Sequence, residues 1–427
     1  MSNTANLSQW RKVSLSQIVT PRRGISYTAD QIADRTSNCP LYINMKSFRK
    51  DASYNKDGEK FFADQFTEED LLQANELLVV NTDVTPQGEI LGVALRLPDR
   101  LRNTPTLFSH HVTALRHNDL VSKVFLYYLL SEDQTRRVIR SFGRGTTVKM
   151  LNFKEVLETE ILLPTIQEQQ KIAEILTSVD EVIENTQSQI SKLEDLKKAT
   201  MNELLTKGIG HTEFKETEVG KIPKSWEVFE IKNYLQSIKS GLSRNLSMSD
   251  IGLPVMNSGN IQNSTLERSQ LKFWYEKDPQ GSRTEDYYLN DGDLLLNFIN
   301  SEKQIGKCCI YKQNGRREIF TTNLFRLRSN ESTSPEFLHL LIINDRFQRE
   351  MQIITKPAVN QASFTREEFL ALKVPKVARD EQKLIVDASE KLIKYQFEVN
   401  KKLDCLLFIK RSLMQDLLTG KVRVTVN

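Results

Sequence analysis

The chain has 427 residues, of which 39% are hydrophobic and 27% charged, so it can bury more than one core and is neither collagen-like nor depleted of apolar residues as disordered chains are. Lys and Arg number 59 against 55 Asp and Glu, a formal net charge of +4 that is compatible with a polyanionic partner but does not argue for one. The four cysteines (Cys39, Cys308, Cys309, Cys405) form no CxxC pair, which sets aside zinc frameworks and secreted disulfide scaffolds.

The N-terminal stretch MSNTANLSQWRK lacks the apolar core of a signal peptide, and the longest apolar patch, VFLYYLL at 124–130, is too short for a bilayer. A cytoplasmic chain with no membrane contact is expected. From Trp10 onward, short apolar runs such as LYINM (41–45), LLVVN (77–81) and ILGVALRL (90–97) are separated by Gly, Asn, Asp and Pro, the pattern of irregular strands. One helix is predicted near Lys123 to Arg140. A glycine-containing segment, FGRGTTVK (142–149), follows, and after Pro164 the periodicity becomes that of a long helix. The same order then returns: LLLNFI (294–299), GKCCIY (306–311), NLFRLR (323–328), a helix near Pro335 to Met351, TKPAVNQ (355–361), and a second long helix after Pro375.

The chain is therefore read as a tandem repeat. LPTIQEQQKIAEIL from Leu163 recurs as VPKVARDEQKLIVD from Val374; aligning Gln170 with Gln382 gives an offset of 212. LKKATMNELLT ending at Thr206 recurs as IKRSLMQDLLT ending at Thr419, an offset of 213. Trp10 matches Trp226, Leu77–Asn81 matches Leu294–Asn297, and FSHHVTALR (108–116) matches FTTNLFRLR (320–328).

Both long helices carry one heptad register. Ile172, Leu176, Val179, Ile183, Thr186, Ile190, Leu193, Lys197, Thr200 and Leu204 alternate four and three residues apart, the spacing of a coiled-coil seam. Adding 213 gives Ile385, Ser389, Leu392, Gln396, Val399, Leu403, Leu406, Lys410, Leu413 and Leu417. Lys197 and Lys410 are either register devices or places where the seam frays. Apolar residues beside the seam (Ile175, Val182, Leu196, Leu205, Leu384, Ile393) widen the stripe enough to cover more than one partner helix. Each helix is about 60 Å long at 1.5 Å per residue, and the two are expected to pack antiparallel and hold the globular segments apart.

No catalytic constellation emerges. There is no GxxxxGK loop for phosphates, Gly143 and Gly145 lack the third glycine of a dinucleotide fingerprint, and the Glu-x-Lys tripeptides at Glu213, Glu230 and Glu381 lie far from the only Pro-Asp pair, Pro98-Asp99. Adjacent His110 and His111 would face opposite ways on a strand, with no further ligand at metal spacing.

Two β-rich segments, each followed by a Pro-x-x-x-EQ-type turn into a long helix, resemble the specificity (S) subunit of type I restriction-modification systems. The resemblance runs over essentially the whole chain and rests on LPTIQEQQKIAEIL with LKKATMNELLT, on PKVARDEQKLI with IKRSLMQDLLT, and on KIPKSWEVFEI (221–231). The first segment departs by opening with LSQWRKVSL, and the second turn reads RDEQ where the first reads QEQQ. The resemblance implies an α+β fold: two β-rich target recognition domains arranged pseudo-twofold and separated by two long antiparallel coiled-coil helices. Residues 1–164 would be the first recognition domain, 165–210 the central spacer helix, 211–375 the second recognition domain and 376–427 the C-terminal spacer helix. It further implies a non-catalytic chain that binds a bipartite site on double-stranded DNA and docks two methyltransferase (M) subunits and restriction (R) subunits. No cofactor would be bound by this chain; S-adenosylmethionine, ATP and Mg2+ would serve the other subunits, for adenine methylation or cleavage. A specificity subunit for a related restriction class with a fused modification-cleavage partner, and a coiled-coil protein-binding scaffold, remain as alternatives.

Loop residues able to reach base edges or phosphates are the candidate DNA contacts. In the first half these are Arg22, Arg23, Lys46, Ser47, Arg49, Asn81, Thr82, His110, Arg144, Thr146, Thr147 and Lys149. In the second they are Lys239, Ser240, Arg244, Asn257, Ser258, Asn260, Asn300, Lys303, Thr322, Asn323, Lys356, Asn360 and Gln361. A polar loop residue ordinarily faces water or caps a turn, so this set is wider than the contacts themselves.

Overall fold

The computed structural model describes residues 10–33, 39–101, 103–262, 264–357 and 361–426. The fold is α+β and divides into two compact units, one of them discontinuous in sequence: unit 1 joins Met1–Ser188 to Lys401–Asn427, and unit 2 is Gln189–Asn400. Eight α-helices occur among the described residues: α1 Lys123–Ser131, α2 Asp133–Ser141, α3 Phe153–Leu157, α4 Ile166–Lys207, α5 Pro335–Ile343, α6 Asp345–Ile354, α7 Arg366–Leu370 and α8 Arg379–Leu418.

In unit 1, Glu76–Val80 is a central strand, which is why ELLVV is buried at every position and shows no polar alternation. It lies in an antiparallel sheet of order Val19–Arg23, Val112–His117, Glu76–Val80, Ala94–Leu95. A second sheet has the order Ile32–Ala33, Lys60–Phe62, Leu41–Ile43, Thr106–Phe108, its last pair parallel. A three-stranded sheet joins Gly143–Arg144, Lys149–Leu151 and Thr82–Asp83, and Arg11–Ser14 pairs with Glu160–Leu163.

Unit 2 repeats this plan. Leu235–Ser240, Leu324–Ser329, Leu294–Asn297 and Cys308–Ile310 form the four-stranded sheet in the same spatial order. Lys272–Trp274, Leu253–Met256 and Ile319–Phe320 form the second, again ending in a parallel pair. Lys356–Pro357, Ala362–Ser363 and Ile299–Asn300 form the three-stranded sheet, and Glu227–Glu230 pairs with Lys373–Lys376.

Each single helix expected before the three-stranded sheet is two helices. Glu132 is extended (φ −66°, ψ 138°), ends α1 and caps α2 by accepting from Thr135 N. Asn344 does the same between α5 and α6, accepting from Arg346 N. In unit 2 the apolar spacing runs on through the break at Ile343, Phe347 and Met351, whereas in unit 1 residues 131–137 are all polar; in both the capping residue decides where the chain turns.

The heptad register holds: no position of either seam is exposed. Within unit 1, the opening of α4 and the close of α8 run antiparallel, Glu168 meeting Arg423 and Asp180 meeting Lys410, and Ile172, Leu176, Met414 and Leu417 join one core. Within unit 2, Lys197 Nζ donates to Gln396 Oε1 (2.8 Å), and Met201, Leu205, Ile385 and Val386 share another core. The two seam lysines therefore both have seam partners: Lys410 forms a 2.7 Å ion pair with Asp180, which also accepts from the Tyr128 hydroxyl.

Candidate nucleic-acid interface

Strand polarity gathers the polar loops of unit 1 at one end. Val19–Arg23, Leu41–Ile43, Glu76–Val80 and Thr106–Phe108 all finish there, and Val112–His117 begins there. Backbone bonds lace the end together: Ile25 N to Phe108 O, His110 N to Ile25 O, Ser109 N to Ile43 O, Asn81 N to His111 O and Leu151 N to Asn81 O. Gly24 permits this lacing, since a Cβ there would lie 2.2 Å from Phe108 O and 2.4 Å from Ser109 O.

Unit 2 is laced by the corresponding bonds: Leu242 N to Phe320 O, Thr322 N to Leu242 O, Thr321 N to Met256 O, Phe298 N to Asn323 O and Phe364 N to Phe298 O. Gly241 stands where Gly24 does, with Thr321 O at 2.2 Å and Phe320 O at 2.3 Å from a built Cβ. These bonds make Val80 the counterpart of Asn297 and Asn81 the counterpart of Phe298. The sequence match of five residues (Leu77–Asn81) to four (Leu294–Asn297) is corrected by one position.

The candidate contacts separate into two groups. One group is engaged within the fold. Arg22 donates to both Glu76 oxygens and to the carbonyls of Glu69 and Leu71, and stacks over Phe108. Burial alone would raise the Glu76 carboxyl; Arg22, Gln73 N and Arg116 outweigh it and leave Glu76 below the usual carboxylate value. Asn81 donates to His110 O and Thr113 and accepts from Thr82, whose side chain is buried. Buried Ser47 caps a turn at Asn44 N, and Asn257 and Asn260 form a reciprocal cap in which Asn260 is buried. Arg244 is bound to Asp278, whose carboxyl it pulls down to about 2. Ser240 donates to Thr322 O, and Asn300 donates to Ser258.

The other group faces outward. In unit 1, Arg23, Lys46, Arg49, Arg144, Thr146 and Thr147 are exposed, with His110 and Lys149 half-buried. In unit 2, Lys303, Lys356 and Gln361 are exposed, while Lys239, Thr322 and Asn323 are half-buried. Asn360 lies outside the described residues. Arg144 pairs with Glu155, and at the corresponding place Lys356 pairs with Glu368, whose carboxyl is held at about 2 by that lysine first and by the Thr365 backbone N–H second. Exposed Arg137 and Arg140 lie on α2 in a groove shared with Asp133 and the Lys50–Glu89 ion pair, and a helix position carries no loop signal that would single them out.

His110 and His111 lie in a turn and not on a strand, so they do not face opposite ways: their ring centroids are 3.9 Å apart, with the planes tilted by 43°. Burial first, then the neighbouring His110 and Arg23 charges, lower the basicity of His111. Among the described residues no group of His, Cys, Asp and Glu is placed to hold a metal ion.

The start of each long helix is a buried clasp. Trp10 Nε1 donates to Glu168 Oε2 (3.1 Å), and Trp226 Nε1 donates to Glu381 Oε2 (3.0 Å). Each glutamate also receives a cation-forming side chain from just beyond the antiparallel partner segment, Arg423 for Glu168 and His211 for Glu381. The next residue anchors the entry to a nearby helix. Gln169 accepts from Ser122 N and donates to Leu120 O and Pro164 O; Gln382 accepts from Thr333 and Ser334 N and donates to Ser332 O and Val377 O. Gln169, and not Gln170, is thus the counterpart of Gln382, so the offset here is 213, as at the helix ends.

A family model for the type I restriction modification DNA specificity domain matches residues 8–195 and again 223–405. The chain belongs to this family. A Methanocaldococcus jannaschii chain, provisionally named the MjaX specificity subunit of a type I restriction enzyme, is 32% identical over 210 residues, 49% of each chain. The chain thus spans about half the length of that relative in the matched stretch. The MjaVIII specificity subunit of the same organism is 25% identical over 74% of both chains, and the EcoKI specificity subunit of Escherichia coli strain K12 is 20% identical over 72% of this chain and 67% of its own. Among solved structures, the S subunit of a type I restriction-modification system from M. genitalium aligns with a TM-score of 0.54 at 16% identity, over 100% of this chain and 99% of that one. A chain from a structural study of complex assembly and conformational transition of the type I R-M system aligns with a TM-score of 0.62 at 16% identity, over 97% and 98%.

In this specificity-domain chain the long helices also carry apolar side chains that the seam does not use. Phe397 and Phe408 are each 68% exposed, and Leu384, Ile393, Val182 and Leu196 stand out from the helix surfaces as well. No helix among the described residues is long and apolar enough to cross a membrane.

Proposed function

We propose that the chain is the cytoplasmic DNA-reading subunit of a type I restriction-modification complex, in which each unit contacts one part of a bipartite duplex site. The observation that carries this reading is one laced loop end built twice on the same strand order, with different side chains presented at equivalent places. A common scaffold with divergent tips suits two readers of unlike sequence. The contacts would come from Arg23, Lys46, Arg49, His110, Arg144, Thr146, Thr147 and Lys149 in unit 1, and from Lys239, Lys303, Thr322, Asn323, Lys356 and Gln361 in unit 2. The exposed apolar side chains of α4 and α8 would dock two methyltransferase subunits, and restriction subunits would complete the nuclease. The chain itself would carry out no chemistry. S-adenosylmethionine, ATP and Mg2+ would be used by those partners.

The test is to map methylated adenines in cells making the methyltransferase partner with and without this chain, and to measure duplex binding by the purified complex. A bipartite methylated motif that appears only with the chain, and is bound in preference to scrambled duplex, supports the reading. A complex that assembles but neither methylates nor prefers any sequence overturns it.

A further inference from the structure

The three-stranded sheet at the loop end of unit 1 presents an unusual face. Arg144 lies across from Met150, and Met150 across from Thr82; residues opposite one another in a sheet share a face. Lys149 pairs with Asp83, so Val148 and Val84 are the next residues on those two strands. Val84 is 60% exposed, Met150 48% and Val148 46%, with Thr82 buried beneath. Three adjacent apolar side chains thus stand in water beside Arg144, Thr146 and Thr147, while Lys149, between Val148 and Met150, turns to the other face and donates to Pro86 O.

Unit 2 builds the same sheet with a different face. Lys356 lies across from Ser363, and Ser363 across from Ile299. The positions of Val84, Val148 and Met150 are taken by Ser301, Gln361 and Ser363, and Lys356 with Glu368 repeats the pair of Arg144 with Glu155. The cation is common to both units. The apolar trio belongs to unit 1 alone.

We infer that Val84, Val148 and Met150 read thymine methyl groups in the major groove of the half-site contacted by unit 1, whereas unit 2 uses hydrogen-bonding side chains at the same place. The inference rests on the DNA-reading assignment above. A thymine methyl is the only apolar feature a base pair displays in that groove, and a narrow ribbon of strands fits its width. Arg144, on the same face and 61% exposed at its side chain, can exchange Glu155 for a phosphate, and the trio lies at the same end as the outward-facing Arg23 and Lys46. Three side chains also fall far short of the roughly 1,000 Å² that a stable protein interface buries, so a protein cover is the poorer occupant.

The experiment uses the assembled complex and duplexes carrying its methylated motif. Deoxyuridine replaces thymidine, which removes only the methyl, first throughout the half-site of unit 1 and then throughout that of unit 2. Cross-linking from a reagent on Thr147→Cys identifies which half-site unit 1 occupies. The expected result is a loss of affinity of about threefold to fivefold for each contacted methyl in the first half-site, and none in the second. The double variant Val148→Ser, Met150→Ser, which leaves only Val84 of the trio, should lose most of the difference between thymidine and deoxyuridine duplexes. Both side chains are exposed, so its thermal unfolding should match that of the parent.

Equal binding of the two duplexes by the parent complex overturns the inference while leaving sequence-specific binding, and hence the proposed function, in place. A first half-site without thymine on either strand overturns it equally. So does a double variant that discriminates thymidine from deoxyuridine as strongly as the parent. Failure of the parent complex to bind any duplex specifically would be a failure of the functional reading, visible before the methyl comparison begins.

Discussion

Gln382→Leu tests whether the helix-entry clamp holds unit 2 together. The glutamine is 1% exposed. Its Nε2 donates to Ser332 O (3.0 Å) and Val377 O (2.9 Å), and its Oε1 accepts from Thr333 Oγ1 (2.9 Å) and, at 3.4 Å, from Ser334 N. Leucine fills similar space but satisfies none of these groups. Three short bonds at a net value of about 1 kcal/mol each, rising toward 2 where buried partners lose their only replacement for water, give a cost of about 3–6 kcal/mol. Hydrogen exchange read by mass spectrometry on the full chain separates the units. A loss of 3 kcal/mol multiplies exchange through unit 2 opening by roughly 150-fold. Gln169→Leu should do the same in unit 1, because Gln169 is fully buried and bonds to Ser122 N, Leu120 O and Pro164 O. A cost below about 1 kcal/mol, or deprotection confined to the few amides around the substituted residue, would refute the reasoning.

In the seam, Lys410→Met should cost about 1–2 kcal/mol by leaving Asp180 without its cation, while Lys410→Met with Asp180→Leu should return to within about 1 kcal/mol of the parent; a double-mutant cycle in denaturant checks this. Glu76 has a folded-state pKa below its ordinary value of 4.5, so its stabilisation is complete above that value and is lost as pH falls through the lower one. Glu76→Gln should therefore cost about 2 kcal/mol at neutral pH and flatten the acid limb of unit 1 unfolding. Phe397→Ser with Phe408→Ser should leave the unfolding midpoint almost unchanged, because both rings are mostly exposed, yet weaken methyltransferase association at least tenfold in a titration.

The repeat and the seam were legible because they depend on periodicity, which sequence records directly. Every seam position from Ile172 to Leu417 is buried or half-buried, and the 213 offset found there also aligns Glu168 with Glu381. Registers inside the β segments were less legible. Asn81 was paired with Asn297 because both are asparagines after apolar runs, whereas the backbone lacing pairs it with Phe298. The break at Asn344 was hidden because Ile343, Phe347 and Met351 continue at helical spacing across it.

The candidate contacts show a different limit. Polarity says that a side chain needs a partner but not whether the partner is inside the fold. Arg22, Asn81 and Arg244 find theirs through carboxylates and carbonyls distant in sequence and Asn260 finds its own within nine residues, while Arg23 and Lys46 remain in solvent. The apolar trio Val84, Val148 and Met150 escaped notice for the opposite reason, since valine and methionine between strands read as core.

The division of the chain into one continuous and one discontinuous unit bears on the order of its synthesis. Everything unit 2 contains lies between Gln189 and Asn400, whereas unit 1 needs Met414, Leu417 and Leu418 in its core and Arg423 on Glu168. On the ribosome the segment up to Ser188 must wait for the residues beyond Lys401. Unit 2 can close before the last turns of α8 are made, and until then the part of the unit 1 core around Ile172 and Leu176 lacks Met414 and Leu417 and stays open to chaperones.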